Sequence, residues 1–309
     1  MAAAFIVETL LDDLRRLGLR DGDTLMIHAS LRAIGPLRDG PETLLDALDE
    51  AVGGDGTLLM ILGAEIAHDQ ANRLPEPERL SVLEGTPPFD PATAPVLHEV
   101  GYFAEVFRRR ERTLVTDNPS GRFGARGRRA QELLAHAPWH DYYGPGSPLD
   151  RLCRVGGRIL RMGANPDTTT LLHFAEYRAD LPAKRRVRRH YRCLGLKGPE
   201  TREVECLDDE HGIVDWPGED YFATILRDYL AEGRASRGSV GRARSELIEA
   251  ADLADFGTNW MNAHFAQPQG SPSLKAVMKR AWLPPLKEPK MPARLALPLW
   301  FAAAYDCGS

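Results

Sequence analysis

The chain has 309 residues, with 39 lysines and arginines against 44 acidic side chains and a formal net charge of −5. A length of this order suits one large domain or two smaller ones and buries enough surface to fold without disulfides or metal. The acidic balance argues against nucleic acid and anionic membranes as partners and favours a cationic ligand, and with no run of about 18 apolar residues a membrane-spanning helix is excluded.

Residues 5–18 predict an amphipathic helix, with Phe5, Ile6, Leu10, Leu14 and Leu17 at three- and four-residue spacing and Gly18 as the stop. Thr24–His28 predicts a buried strand, followed by the small-residue segment Ala29–Gly35. Gly40-Pro41 opens a helix with an apolar face of Leu44, Leu45, Leu48 and Val52, and Thr57–Leu62 is a second buried strand. Strands that are apolar throughout, alternating with helices, signal an α/β sheet covered on both faces. Residues 63–95 lack periodicity and are rich in proline, so they predict a long functional loop. A helix follows at 100–110, a Gly/Arg-rich loop at 117–127, a helix at 128–136, a strand at Arg158–Gly163 and a helix at 168–179. Residues 184–206 are mixed and strand-like, and helices return at 219–232 and 245–265. The tail from Gln267 holds seven prolines among apolar residues. It predicts an extended arm that wraps the body or joins a second copy in a homodimer. The expected division is a single domain over 1–266 and a proline-rich arm over 267–309.

The start of the chain lacks a basic n-region and soon meets Glu8 and Asp12, so no signal peptide is expected. Cys153, Cys193, Cys206 and Cys307 have no metal-ligand spacing. They read as small buried hydrophobes in a reducing, cytoplasmic setting.

Four constellations could carry chemistry. Ile27–Gly35 ends a strand in small residues, where open α/β sheets expose backbone N–H groups to ligands; an ordinary turn is the alternative. Val115–Gly127 has three glycines, two arginines and a following helix, and reads either as an anion cradle or as a solvated loop. In Asp167–Glu176, Asp167 or Thr168 suits a helix N-cap, which puts His173 in the second turn. Glu176 follows three residues later on the same face. A histidine held by a carboxylate can be a general base, although a helical histidine is more often structural. Asp208-Asp209-Glu210-His211 is a turn or a carboxylate cluster for amines. The basic runs at 108–112 and 184–192 fit solvated faces better than nucleic acid, given the acidic balance of the whole chain.

Taken together and in order, these segments resemble the antibiotic N-acetyltransferase family, which contains the aminoglycoside 3-N-acetyltransferases. The resemblance rests on His28–Gly35, Gly53–Met60, Pro88–Pro91, Asn118–Gly127, Gly144–Leu152, Val155–Gly163, Thr169–Glu176, Gly238–Gly241 and Asp255–Gly257. It covers roughly residues 5–265. It implies a central mostly parallel or mixed sheet covered by helices, distinct from the GNAT fold, with a smaller mixed C-terminal part. It also implies acetyl-CoA as cosubstrate, no metal, a cationic small-molecule amine as acceptor, and a role in antibiotic resistance. By resemblance, Ser30, Leu31, Arg32, Ala33, Ile34 and Gly35 hold CoA together with Asn118, Arg122, Phe123 and Gly124. His173 would take the acceptor proton, with Glu176 orienting it. An acidic acceptor cleft is expected from Glu65, Asp69, Asp90 and the Asp208–Glu210 cluster.

This chain departs from the family pattern at two places. Val115–Pro119 replaces Arg-Ser-x-His-Pro, with Arg122 where a serine is usual, and the stretch after the second strand, where the family often has tryptophan and acidic residues, reads Leu62-Gly63-Ala64-Glu65-Ile66-Ala67-His68-Asp69. These changes predict a remodelled CoA loop and acceptor pocket. The alternatives are a family member acetylating a different amine in a biosynthetic pathway and a non-catalytic binding protein.

Overall fold

Successive side chains of a strand point to opposite faces, so a strand that is apolar throughout must be covered twice. In the computed structural model, which describes residues 3–63, 66–217 and 220–265, the central strands meet this condition. In β1 (Thr24–Ala29), Leu25 and Ile27 enter one hydrophobic cluster while Met26 enters the other. In β2 (Thr57–Ile61), Leu58 and Met60 face the first cluster and Leu59 the second.

The other strands are β3 (Leu114–Val115), β4 (Phe123–Gly127), β5 (Arg158–Met162), β6 (Arg186–Gly195), β7 (Gly198–Leu207), β8 (Ser236–Val240) and β9 (Ala243–Glu249). Seven of them form a mixed sheet in the order β3-β4-β2-β1-β5-β9-β8, and β6 and β7 form a separate hairpin. β1 pairs in parallel with β2 and with β5, and the remaining pairings in the sheet are antiparallel. Helices Val7–Leu17, Pro41–Val52 and Tyr102–Arg109 cover one face. Helices Pro148–Arg154, Leu171–Arg178, Tyr221–Ala231 and Ala250–Phe265 belong to the other core. No helix among the described residues is long and apolar enough to cross a membrane.

The structure differs from the sequence expectation in several places. Residues 63–95 contain two helices, Ile66–Asn72 and Glu78–Gly85. The supposed loop at 117–127 ends in β4, antiparallel to β2 with Gly124 opposite Met60. A Cβ on Gly124 would lie 3.0 Å from Leu62 and 3.2 Å from Phe107, so the glycine allows close packing inside the sheet. The segment 245–265 divides into β9 and a helix beginning at Ala250. The edge strand β8 has no apolar run to reveal it, since four of its five residues are exposed. The arm expected at 267–309 lies outside the described residues.

Candidate active site

The carboxyl ends of β1, β2 and β5 open on a cleft of about 1150 Å³, the position where ligands enter open α/β sheets. His28, Ile61 and the Gly163–Asn165 segment mark those three ends in its wall. The His173 helix, the Tyr142-Tyr143 segment and strand β6 of the hairpin also line it.

His173 is the third residue of helix Leu171–Arg178, one turn earlier than expected. Asp167 and Thr168 do not cap that helix; they lie in a preceding 3-10 turn, Pro166–Thr168. The imidazole stacks on Tyr143 with ring centroids 4.8 Å apart and receives the edge of Phe222 at 4.7 Å. Its Nδ1 lies 2.8 Å from Glu176 Oε2. Glu176 is buried, and its other oxygen accepts a hydrogen bond from the Tyr221 hydroxyl. A carboxylate facing Nδ1 fixes the tautomer with hydrogen on Nδ1 and leaves Nε2 able to accept a proton.

Burial alone lowers the His173 pKa, but the charge and hydrogen bond of Glu176, with Asp209 and Asp220, outweigh it and raise the pKa above the ordinary histidine value. Burial raises the Glu176 pKa against the opposing pull of His173 and Tyr221. The half-buried Cys153 and the buried Cys193 and Cys206 cannot compete as nucleophiles at neutral pH, because desolvation pushes Cys153 and Cys206 up to about 12 and Cys193 to about 11. Among the described residues, no group of three His, Cys, Asp or Glu side chains is disposed to hold a metal ion.

Of the first loop, Ser30, Leu31 and Arg32 line the cleft. Ser30 Oγ caps a short helix by accepting from the Ala33 N–H at 3.3 Å. Ala33, Ile34 and Gly35 do not line it: Ile34 is in the core, Ala33 packs on Gly163, and Gly35 lies against Arg242.

The second loop is largely turned inward. Asn118 Oδ1 accepts from the N–H groups of Ser120 and Gly121, and its amide donates to the Trp139 carbonyl at 2.7 Å. The cleft is reached instead by Pro119 and Ser120. Arg122 is completely buried and donates to the carbonyls of Pro91 and Pro95 at 2.7 and 3.0 Å. Its expected phosphate contact is thus replaced by an internal clamp. Phe123 is buried in β4, and Gly124 sits in the same strand.

The expected acceptor carboxylates also divide. Glu65 and the Asp69 side chain lie outside the described residues. Asp90 caps its own turn through Ala92 N–H and Thr93 Oγ1, away from the cleft. Asp208 is buried and accepts from the Glu210 and His211 N–H groups, which builds the turn. Its neighbours Asp209 and Glu210 do face the cleft, joined by Asp167 and Asp220. Asp209 pairs with Arg189 at 2.7 Å and accepts from the Tyr142 hydroxyl at 2.5 Å.

Sequence reasoning missed Tyr143, Arg189, Asp220 and Tyr221. The adjacent aromatics Tyr142-Tyr143 were a visible signal, but nothing in the sequence placed them against His173.

The family profile described as aminoglycoside 3-N-acetyltransferase matches residues 26–262. Aminoglycoside N(3)-acetyltransferase VII of Streptomyces paromomycinus is 38% identical over 84% of this chain and 92% of its own length. Aminoglycoside N(3)-acetyltransferase III of Pseudomonas aeruginosa is 39% identical over 83% of this chain and 93% of its own. Among solved structures, AAC-IIIb in binary complex with CoASH superposes with a TM-score of 0.81 at 37% identity, covering 86% of this chain and 99% of that one. Sisomicin-bound AAC-VIa gives 0.80 at 37% identity, covering 84% and 99%. Sequence and fold agree across most of each molecule, and the chain belongs to the aminoglycoside 3-N-acetyltransferase family.

Proposed function

We propose that the chain transfers the acetyl group of acetyl-CoA directly to the 3-amino group of an aminoglycoside, with His173 as general base. The observation that carries this reading is His173 on the cleft wall, hydrogen-bonded to the buried Glu176. The relatives support the two substrates, since one is solved with CoASH and another with sisomicin.

The chemistry follows from the pair. An ammonium cannot attack a thioester, so the neutral amine attacks the carbonyl carbon while Nε2 of His173 takes a proton from the nitrogen. The tetrahedral intermediate then collapses. The C–S bond breaks, and the departing CoA thiolate receives the proton from the imidazolium. Glu176 stabilises that imidazolium and holds the tautomer. Ser30–Arg32 and the Gly163–Asn165 segment sit at the strand ends suited to the donor. Asp167, Asp209, Glu210 and Asp220 lie on the His173 side, suited to a polycation.

A less charged amine is the second reading. Arg189 favours it, because this guanidinium already answers the charge of Asp209 within the cleft.

The test is CoA-thiol release with acetyl-CoA and a panel of aminoglycosides and simpler amines, with products located by mass spectrometry. Turnover with aminoglycosides at the 3-position is expected, with an acceptor KM that rises with salt. No thiol release from folded protein overturns the proposal, and a salt-insensitive KM favours the less charged acceptor.

A further inference from the structure

The carboxylate that holds His173 is itself held. Glu176 Oε2 faces Nδ1 of His173, and Oε1 accepts from the hydroxyl of Tyr221. The same hydroxyl oxygen accepts from the backbone N–H of Ile213 at 3.2 Å. The chain of hydrogen bonds therefore runs from main chain to tyrosine to glutamate to histidine, and it ends at the cleft.

The surroundings are shaped for this tyrosine. Tyr221 is buried and packs its ring edge-on against Phe222, at 5.1 Å, while Phe222 packs against His173. Gly212 has φ of +78°, and a Cβ there would come within 2.7 Å of the Tyr221 ring and 2.9 Å of its oxygen. Only a glycine suits that backbone and leaves the ring its place. Burial, then the charge of Glu176, holds the Tyr221 hydroxyl far above the ordinary phenol range, so it remains a donor.

We propose that Tyr221 is a positioning residue of the reaction, acting through Glu176 to set the basicity and orientation of His173. This rests on the proposed role of His173. The proton of the acceptor goes to His173, while Tyr221 keeps its own proton throughout.

The expected sign follows from the charges. When His173 is neutral, Glu176 is an unanswered buried anion and leans on the Tyr221 donor. When His173 is protonated, the imidazolium shares that duty. Removing the donor therefore harms the deprotonated pair more and raises its apparent pKa. Other charges facing the pair are Asp209 and Asp220 toward His173, Lys184 and Asp209 toward Glu176, and Asp220 toward Tyr221. None of them is altered by changing Tyr221 to phenylalanine.

The test is Tyr221→Phe in the full chain, read in two ways. The first is an NMR titration of the His173 imidazole, assigned by its loss in His173→Gln. It needs no substrate, so it stands apart from the acetyl-transfer reading. The second is the pH profile of turnover. The titration should move to higher pH in Tyr221→Phe, the acid limb of turnover should follow it, and kcat should fall about tenfold, the scale of one hydrogen bond to a charged group. KM should change little. An unmoved or lowered His173 titration in folded Tyr221→Phe overturns the proposal, whether or not the wild type turns over aminoglycosides. Gly212→Ala, which drives a Cβ into Tyr221 and changes no ionisable group, should raise the same titration; a folded Gly212→Ala with an unmoved titration counts against the proposal.

Discussion

His28 and His173 line the same cleft, and their neighbours give them opposite acid–base character. His28 is in β1, directly across the parallel register from Arg161 in β5. Its Nε2 is buried without a hydrogen-bond partner. Burial, reinforced by the Arg161 cation, pushes its pKa down to about 3. His173 is half-buried and also loses solvation, but Glu176 and the nearby Asp209 and Asp220 reverse the outcome. Desolvation alone makes a histidine a neutral, weakly basic wall element. A hydrogen-bonded carboxylate makes it a base that both accepts a proton and stabilises the resulting cation.

The strongest way to break this contrast is at His173. His173→Gln should lower kcat by about 100-fold or more, the range for losing a general base. The acid limb of the pH profile should vanish with it, and acetyl-CoA affinity by calorimetry should be unchanged. A near wild-type rate in the folded variant would assign the base elsewhere.

Glu176→Gln comes next. Retaining shape while removing charge should lower kcat about tenfold. Because Glu176 raises the His173 pKa, its neutralisation should move the acid limb to lower pH, opposite to Tyr221→Phe. A profile that stays in place would mean that Asp209 and Asp220 alone set the basicity of His173.

The same logic explains what the sequence could reveal. β1 and β2 were legible because their continuous apolar runs demand cover on both faces, and β5 because Ile159, Leu160 and Met162 stand between its arginines. The pair His173 and Glu176 was legible because both residues lie on one short helix. The Asn118–Gly127 segment was not, because its glycines and arginines resemble a phosphate loop until their partners are known. Arg122 spends its donors on Pro91 and Pro95, and Arg126 pairs with Asp49. Whether an arginine is available to a ligand depends on what tertiary packing leaves unsatisfied. Tyr143, Tyr221 and Asp209 come from three separate stretches of chain, so only the fold brings them to His173.

A third variant separates the two histidines through Arg161. Its guanidinium is buried, pairs with Glu246 at 3.1 Å and donates to the Ala164 and Asn165 carbonyls at 2.8 Å. Arg161→Met should destabilise the fold by about 1.5–3 kcal/mol, the scale of hydrogen bonds to a charged group, measured by urea unfolding. It should also raise the His28 pKa, seen in its imidazole NMR titration, while the His173 titration stays in place. A His28 titration that does not rise would mean that burial alone depresses it.

The smallest effect on turnover is expected from His28 itself, and its signature lies in stability. The His28 pKa is about 3 in the folded chain against an ordinary value of 6.5. Between those values the unfolded chain binds a proton there that the folded chain refuses. Stability at this site is therefore fully present above pH 6.5 and declines as pH falls from 6.5 toward 3. His173 has the reverse sign: its raised pKa contributes stability that is present below 6.5 and lost as pH rises through the folded value. His28→Gln removes the first effect and leaves the second. Its unfolding free energy should fall less than that of the wild type as pH drops from about 7 to 5, as read from urea midpoints at each pH. Turnover should remain within about threefold, because the substitution removes a group that accepts no proton near neutral pH. An unchanged stability slope would mean that His28 is protonated as easily in the folded chain as in the unfolded one. A large loss of turnover would mean that His28 contacts the reacting groups, and the division of labour between the two histidines would fail.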